Sequence, residues 1–96
     1  MFRHIVLVRW KEGTTDAEKQ AVRDALEALP AQVPEVRALT LGEDVGRKAN
    51  NWDMAAVLDF DDQAAFRRYL ESAPHRAYAE GPGRAVGSLA VVQHPW

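Results

Sequence analysis

Two side chains able to hold or give a proton bound the stretch "YLESAPH", residues 69–75: Tyr69 opens it and His75 closes it. On one unbroken helix, that spacing turns the second side chain by about 600°, leaving it about 120° from the first. Pro74 rules out an unbroken helix, because it lacks an N–H and clashes with the preceding turn. The break is therefore what would let Tyr69 and His75 face one pocket. His75 falls in the first turn of the short helix that Pro74 is expected to begin, proline being favoured there. The positive end of that helix disfavours an imidazolium, and a neutral imidazole near pH 7 can act as a general base. The plainer role is that of a surface or capping histidine. Tyr69 is spaced three and four residues from Phe66 and Ala65, so it shares their buried stripe. Its ring is expected in the core. Its hydroxyl then needs a partner, and a carbonyl or enolate oxygen would serve.

His4 alternates with Val6 and Val8 on the first strand. A histidine on an apolar strand face is commonly a satisfied core residue. If that face is the one the helices cover, His4 instead looks toward the break at Pro74. A few polar groups on an apolar wall is the usual make-up of a small-molecule pocket. His94 sits beside Pro95 and Trp96 and suggests no active role. The three histidines form no metal motif, since no pair has helical i,i+4 spacing and no carboxylate is placed to complete a site. No glycine-rich loop follows a strand, so a nucleotide site is not indicated. Ser72 and Ser88 lack the nucleophile elbow of a serine hydrolase. Arg67, Arg68, Arg76 and Arg84 give a basic edge, read first as a solvated face and second as a guide for an acidic ligand.

The elements that must position these residues follow from periodicity. Residues 2–11 read as a strand with Phe2, His4, Val6, Val8 and Trp10 on one face and Arg3, Ile5, Leu7, Arg9 and Lys11 on the other. Both faces carry apolar groups, so both call for cover. A helix lies within residues 12–30, opened by a Thr15/Glu18 capping box, striped by Ala17, Ala21, Ala25, Leu26 and Leu29, and closed at Pro30. Strands are expected over residues 35–46 and 52–60, the latter with Trp52, Met54, Ala56, Leu58 and Phe60 on one face. Residues 47–51 form a loop. Asp61 or Asp62 caps a second helix bearing Ala65, Phe66, Tyr69 and Leu70. After Pro74 a short helix reaches Glu80, the "GPG" at 81–83 ends it, and a last strand with a short tail occupies residues 85–96. The order β-α-β-β-α-β predicts an α+β, ferredoxin-like domain: a four-stranded antiparallel sheet with helices on one face. The other face, if apolar, would be a large exposed patch, and a second copy of the chain is the simplest cover.

The 96 residues suggest one domain spanning 1–96. A chain of this size buries roughly 60–65% of its unfolded surface and gains from dimerisation. Hydrophobic residues are 47% and charged residues 27%, a globular composition. A net charge of −2 with signs interspersed gives no reason to expect nucleic acid or an anionic membrane as partner. No cysteine is present, which excludes disulfides, a thiolate nucleophile and cysteine-based zinc sites. The N-terminal apolar stretch is too short to span a bilayer and lacks a signal-peptide pattern. A soluble, cytoplasmic protein is expected.

The segments "RHIVLVRWKEGTTDAEK", "LGEDVG", "YLESAPH" and "LAVVQ" together resemble the stress-responsive α/β-barrel domain (Dabb) family, over essentially the whole chain. The resemblance implies ferredoxin-like homodimers whose sheets pack face to face into a barrel. It also implies kinship with plant olivetolic acid cyclase, which folds a linear polyketide by an aldol condensation without metal or organic cofactor. By that likeness His75 matches the catalytic base, Tyr69 the tyrosine that assists at the carbonyl, and His4 the strand histidine. The sequence departs from the family at "SAPH", where "HPAH" is usual. "AVRDAL" in the first helix also supplies smaller or charged side chains where the plant enzyme has aromatics.

Three kinds of function fit these readings. In the first, the protein is a cofactor-independent enzyme of polyketide-cyclase or isomerase type. His75 removes a proton alpha to a carbonyl, Tyr69 bonds the oxygen, and His4 positions the ligand or His75, with Val6, Val8, Leu26 and Phe66 as apolar walls. In the second, it is a non-catalytic dimeric stress-response or binding protein holding a small hydrophobic or polyketide-like ligand. A cofactor-free monooxygenase is a third reading, for which Trp10 and Trp52 could be cited.

Overall fold

Strand β1 (Phe2–Trp10) is the backbone of the molecule, because it is hydrogen-bonded on both sides. The computed structural model describes residues 1–96. On one side of β1 lies β3 (Met54–Phe60), antiparallel, in register from Phe2↔Phe60 to Val8↔Met54. On the other lies β4 (Val86–Pro95), paired from Phe2↔Pro95 to Trp10↔Val86 with an irregularity after Arg9. β2 (Ala38–Glu43) completes the sheet along β3, giving the order β2-β3-β1-β4. With α1 (Asp16–Gln32), α2 (Gln63–Glu71) and α3 (Ala73–Glu80), this is the ferredoxin-like β-α-β-β-α-β arrangement that the sequence predicts, with the second helical segment broken in two.

Side-chain alternation decides where the core lies. Val8, Met54, Ala56, Leu58 and Phe60 face the helices and are almost wholly buried, together with Val22, Leu26 and Leu29 of α1 and Ala65, Phe66 and Tyr69 of α2. The opposite face carries Arg3, Ile5 and Leu7 of β1, their partners Asp59, Val57 and Ala55, and His94, Val92 and Ala90 of β4. Arg3 makes a two-pronged ion pair with Asp59, at 2.8 and 3.0 Å, and its guanidinium lies 4.4 Å from the centre of the Trp96 ring. At the other end Arg9 sits 4.6 Å over Trp52.

Local capping explains the helix starts. Thr15 and Glu18 form the reciprocal capping box, and Asp62, not Asp61, caps α2 by accepting from the Ala65 amide at 2.8 Å. Four details depart from expectation. Helix α1 runs two residues past Pro30: the proline forgoes one intrahelical bond, and Val33 closes the helix by donating to the Leu29 carbonyl at 2.8 Å. Its buried stripe is Val22, Leu26 and Leu29, while Ala17 and Ala21 are exposed. Trp52 lies outside β3: the Asp53 amide bonds the Val8 carbonyl and the Asp53 carboxylate accepts from Trp10 N–H, which ends the regular ladder. Leu70, expected on the buried stripe of α2, is exposed.

Candidate functional site

Serine 72 joins two helices with no linker between them. It is at once the C-cap of α2 and the N-cap of α3. Its hydroxyl donates to the Tyr69 carbonyl at 2.7 Å and accepts from the His75 amide at 3.3 Å. One side chain thus ties the last turn of one helix to the first turn of the next. Pro74 is the second residue of α3, not the first, and sits where the missing N–H leaves no bond unmade. The sharp change of direction sets the Tyr69 and His75 rings edge to face, with centroids 4.8 Å apart.

Tyr69 is buried against Phe60 and Phe66, at ring separations of 5.3 and 6.3 Å. No sealed side-chain polar atom in the structure lacks a partner. The Tyr69 hydroxyl has no side-chain bond, so its oxygen occupies the small accessible remnant of an otherwise buried residue. Burial raises its pKa, and the nearby Tyr78 phenol raises it further. Tyr69 therefore remains a hydrogen-bond donor at any physiological pH. Burial lowers the pKa of His75, with the Leu70 carbonyl opposing, so the imidazole is neutral near pH 7.

His4 faces the helices, its ring tilted against that of Phe66 with centroids 4.9 Å apart. Its Nδ1 lies 3.1 Å from the side-chain nitrogen of Gln93, the residue directly opposite on β4. An amide nitrogen only donates, so Nδ1 accepts and the proton rests on Nε2. Burial, and then repulsion from a charged His75, pushes the His4 pKa down to about 4. His4 and His75 thus act on each other electrostatically, while Phe66 links the His4 ring to Tyr69.

A cleft of about 470 Å³ opens beside His75, bordered by Tyr78, Ala79, Gly83, Val86, Gly87, Ser88 and Leu89. It lies where the helical layer stops short of edge strand β4. Leu89 and Val91 pair with Val8 and Val6, so they face the helical side, yet both are more than half exposed. Among the residues expected to form apolar walls, Val8 and Leu26 are 1% and 5% exposed and belong to the core. Phe66 is buried between His4 and Tyr69, and Val6 is partly buried beside them; none of the four borders this cleft. A second recess, about 390 Å³, lies at Lys11–Thr14 and Gly81–Ala85, but its charges are mixed and it contains no acid–base pair. No group of three or more His, Asp or Glu is arranged to hold a metal ion. His94 bonds the Pro95 carbonyl on the open sheet face, away from this region.

Three contributors escape the sequence reading. Tyr78 follows His75 by three residues, a spacing that places both on one helix face, and their rings are 6.5 Å apart. Ser72 precedes His75 by three residues, which is the spacing of an N-cap. Gln93 carries no local signal, because only strand register brings it to His4.

The family model for Dabb, the stress responsive A/B barrel domain, matches residues 2–93. The chain belongs to the Dabb family. A dimeric ferredoxin-like protein of unknown function from Thermobifida fusca is 35% identical, with TM-score 0.87, over 99% of this chain and 90% of that one. The hydroxynitrile lyase of Passiflora edulis shares the fold at 23% identity and TM-score 0.87, over 97% of this chain and 90% of that one. A Dabb protein of Mesorhizobium loti is similar at 18% identity and TM-score 0.82, over 99% of this chain and 95% of that one. No curated protein sequence matches the chain. The fold that these comparisons share is carried by proteins of unknown function and by a lyase.

Proposed function

We propose that this Dabb protein is a small-molecule enzyme that moves protons with its own side chains, of the aldol-cyclase or isomerase type. His75 takes a proton from a carbon next to a carbonyl. Tyr69 donates a hydrogen bond to the oxygen on which negative charge then collects. His4, neutral and held by Gln93, positions the ligand or His75. The observation that carries this reading is the Tyr69–His75 ring pair, 4.8 Å between centroids, in which His75 borders an open cleft and Tyr69 packs behind it, with burial keeping the base neutral and the phenol protonated. A base near its working pKa and a preorganised donor are the two parts that such a step needs. Additional support comes from the hydroxynitrile lyase on the same fold.

The test is α-proton exchange of 1-phenylbutan-1-one in D2O, followed by NMR. Wild-type protein should accelerate exchange, and His75→Ala should lose about 10²–10⁴-fold of that acceleration while remaining folded. Exchange undiminished in His75→Ala would remove the mechanism. The exposed apolar Leu89 at the cleft, with Val91 exposed further along β4, favours a second reading, a carrier of hydrophobic ligands. Binding of the ketone without any exchange would decide for it.

A further inference from the structure

We propose that Tyr78 is a second oxygen-binding phenol, and that it makes the site selective for carbonyl compounds carrying another oxygen two carbons away. This rests on the acid–base reading above and adds a residue and a substrate feature to it. The geometry begins with helix α3, whose turn puts Tyr78 on the same face as His75, at 6.5 Å between rings. Tyr69 lies 4.8 Å from the same imidazole, so two phenol rings lie near His75. Tyr78 borders the cleft of about 470 Å³ directly, and it is the only group with a phenolic hydroxyl that does.

The chain holds this ring in place by close approach of backbone. A Cβ built on Gly83 would come within 2.9 Å of the Tyr78 carbonyl oxygen and 3.2 Å of two ring carbons. Glycine at 83 therefore lets the ring lie flat against the turn that follows α3. The Tyr78 hydroxyl, like that of Tyr69, has no side-chain partner, and no sealed polar atom is left unsatisfied, so it too is accessible. Burial raises the Tyr78 pKa, which keeps it a donor. Ionisation of Tyr78 would oppose ionisation of Tyr69, as expected of two hydroxyls sharing one region.

A base with two donors nearby matches a carbon that lies between two oxygens. A methylene between two carbonyls is the acidic one, and each oxygen takes part of the charge after the proton leaves. Tyr69 would serve one oxygen and Tyr78 the other, while His75 faces the carbon between them. A monoketone would leave the Tyr78 hydroxyl without a ligand partner.

The experiment compares 1-phenylbutane-1,3-dione with 1-phenylbutan-1-one, which differ by one carbonyl. Dissociation constants are measured by NMR titration on wild-type protein and on Tyr78→Phe. Wild type should prefer the dione by about 3–10-fold, the worth of one added hydrogen bond. Tyr78→Phe should erase that preference by weakening the dione more than the monoketone. A preference that survives in Tyr78→Phe, its absence in wild type, or an equal loss for both ketones would overturn the proposal. Monoketone exchange in wild type and His75→Ala is run alongside. If exchange depends on His75 while the dione preference ignores Tyr78, only the role of Tyr78 falls; if exchange does not depend on His75, the acid–base reading falls.

Discussion

A histidine that is to act as a base must be unprotonated when it meets its substrate, and burial arranges this for both His75 and His4. Protonation of His75 should therefore switch the activity off below, not at, the ordinary histidine value of 6.5. A kcat/KM profile falling on its acid side with a midpoint below 6.5 is the expected result. A midpoint at or above 6.5 would mean that the base is some other group. Tyr69→Phe should keep the packing and lower kcat by about 10²–10³-fold, because it removes a donor aimed at developing charge. The roles of Tyr69 and His75 are legible as residue types at a spacing, since both lie on one short stretch of chain. The His4–Gln93 pair is not legible that way: the two residues are 89 positions apart and meet only through the register of β1 with β4. Which apolar residues line the opening was equally hidden. Val8 and Leu26 have the right character for a wall, but depth within the core depends on where the helix layer ends.

At the scale of elements, the site depends on how α2 hands over to α3. Ser72→Ala removes a cap bond that both helices use, and should cost about 0.5–2 kcal/mol in urea unfolding. Ser72→Thr keeps the hydroxyl and should recover most of it. Activity should fall in the alanine variant beyond what lost folding explains, because Tyr69 and His75 are aimed through that hydroxyl. Wild-type activity in folded Ser72→Ala would show that the helix packing alone does the aiming. One residue inserted after Ser72 would shift the His75 amide out of the three-residue spacing that the Ser72 cap needs. Strand and helix types were readable because their periods are strong, down to the Thr15–Glu18 capping box. Boundaries were less so: Pro30 ends a helix by local rules, but Val33 and Val36 are buried in the core beyond it and the chain stays helical through Gln32. Trp52 alternates correctly with Met54, yet the Asp53 side chain bonding Trp10 N–H takes it out of the ladder.

For the whole molecule, the two histidines predict how stability responds to acid. In the unfolded chain His4 binds its proton near 6.5, whereas in the folded protein it does so only near 4. The unfolded state thus holds more protons between those values, and stability is lost as pH falls from 6.5 toward 4. The loss from His4 is at most about 3 kcal/mol, and His75 adds to it with the same sign. Urea midpoints for wild type and His4→Gln between pH 7.5 and 4.5 should show a flatter dependence in the variant; parallel curves would assign the acid sensitivity elsewhere. On the opposite side of the sheet, Ile5, Leu7, Val57 and Val92 form an apolar band that no helix of the chain covers. Pairing of two such bands in a homodimer is our proposal for it, in line with the dimeric Thermobifida fusca relative. Val57→Asp should give a monomer by sedimentation, and an unchanged association state would place the contact elsewhere. The cleft beside His75 opens at the margin of the sheet, where the helices end before β4. A pair joined through the apolar bands would leave both mouths clear of the seam. Each half would then fill and empty without consulting its twin, and saturation would trace a plain hyperbola with a Hill coefficient of about 1.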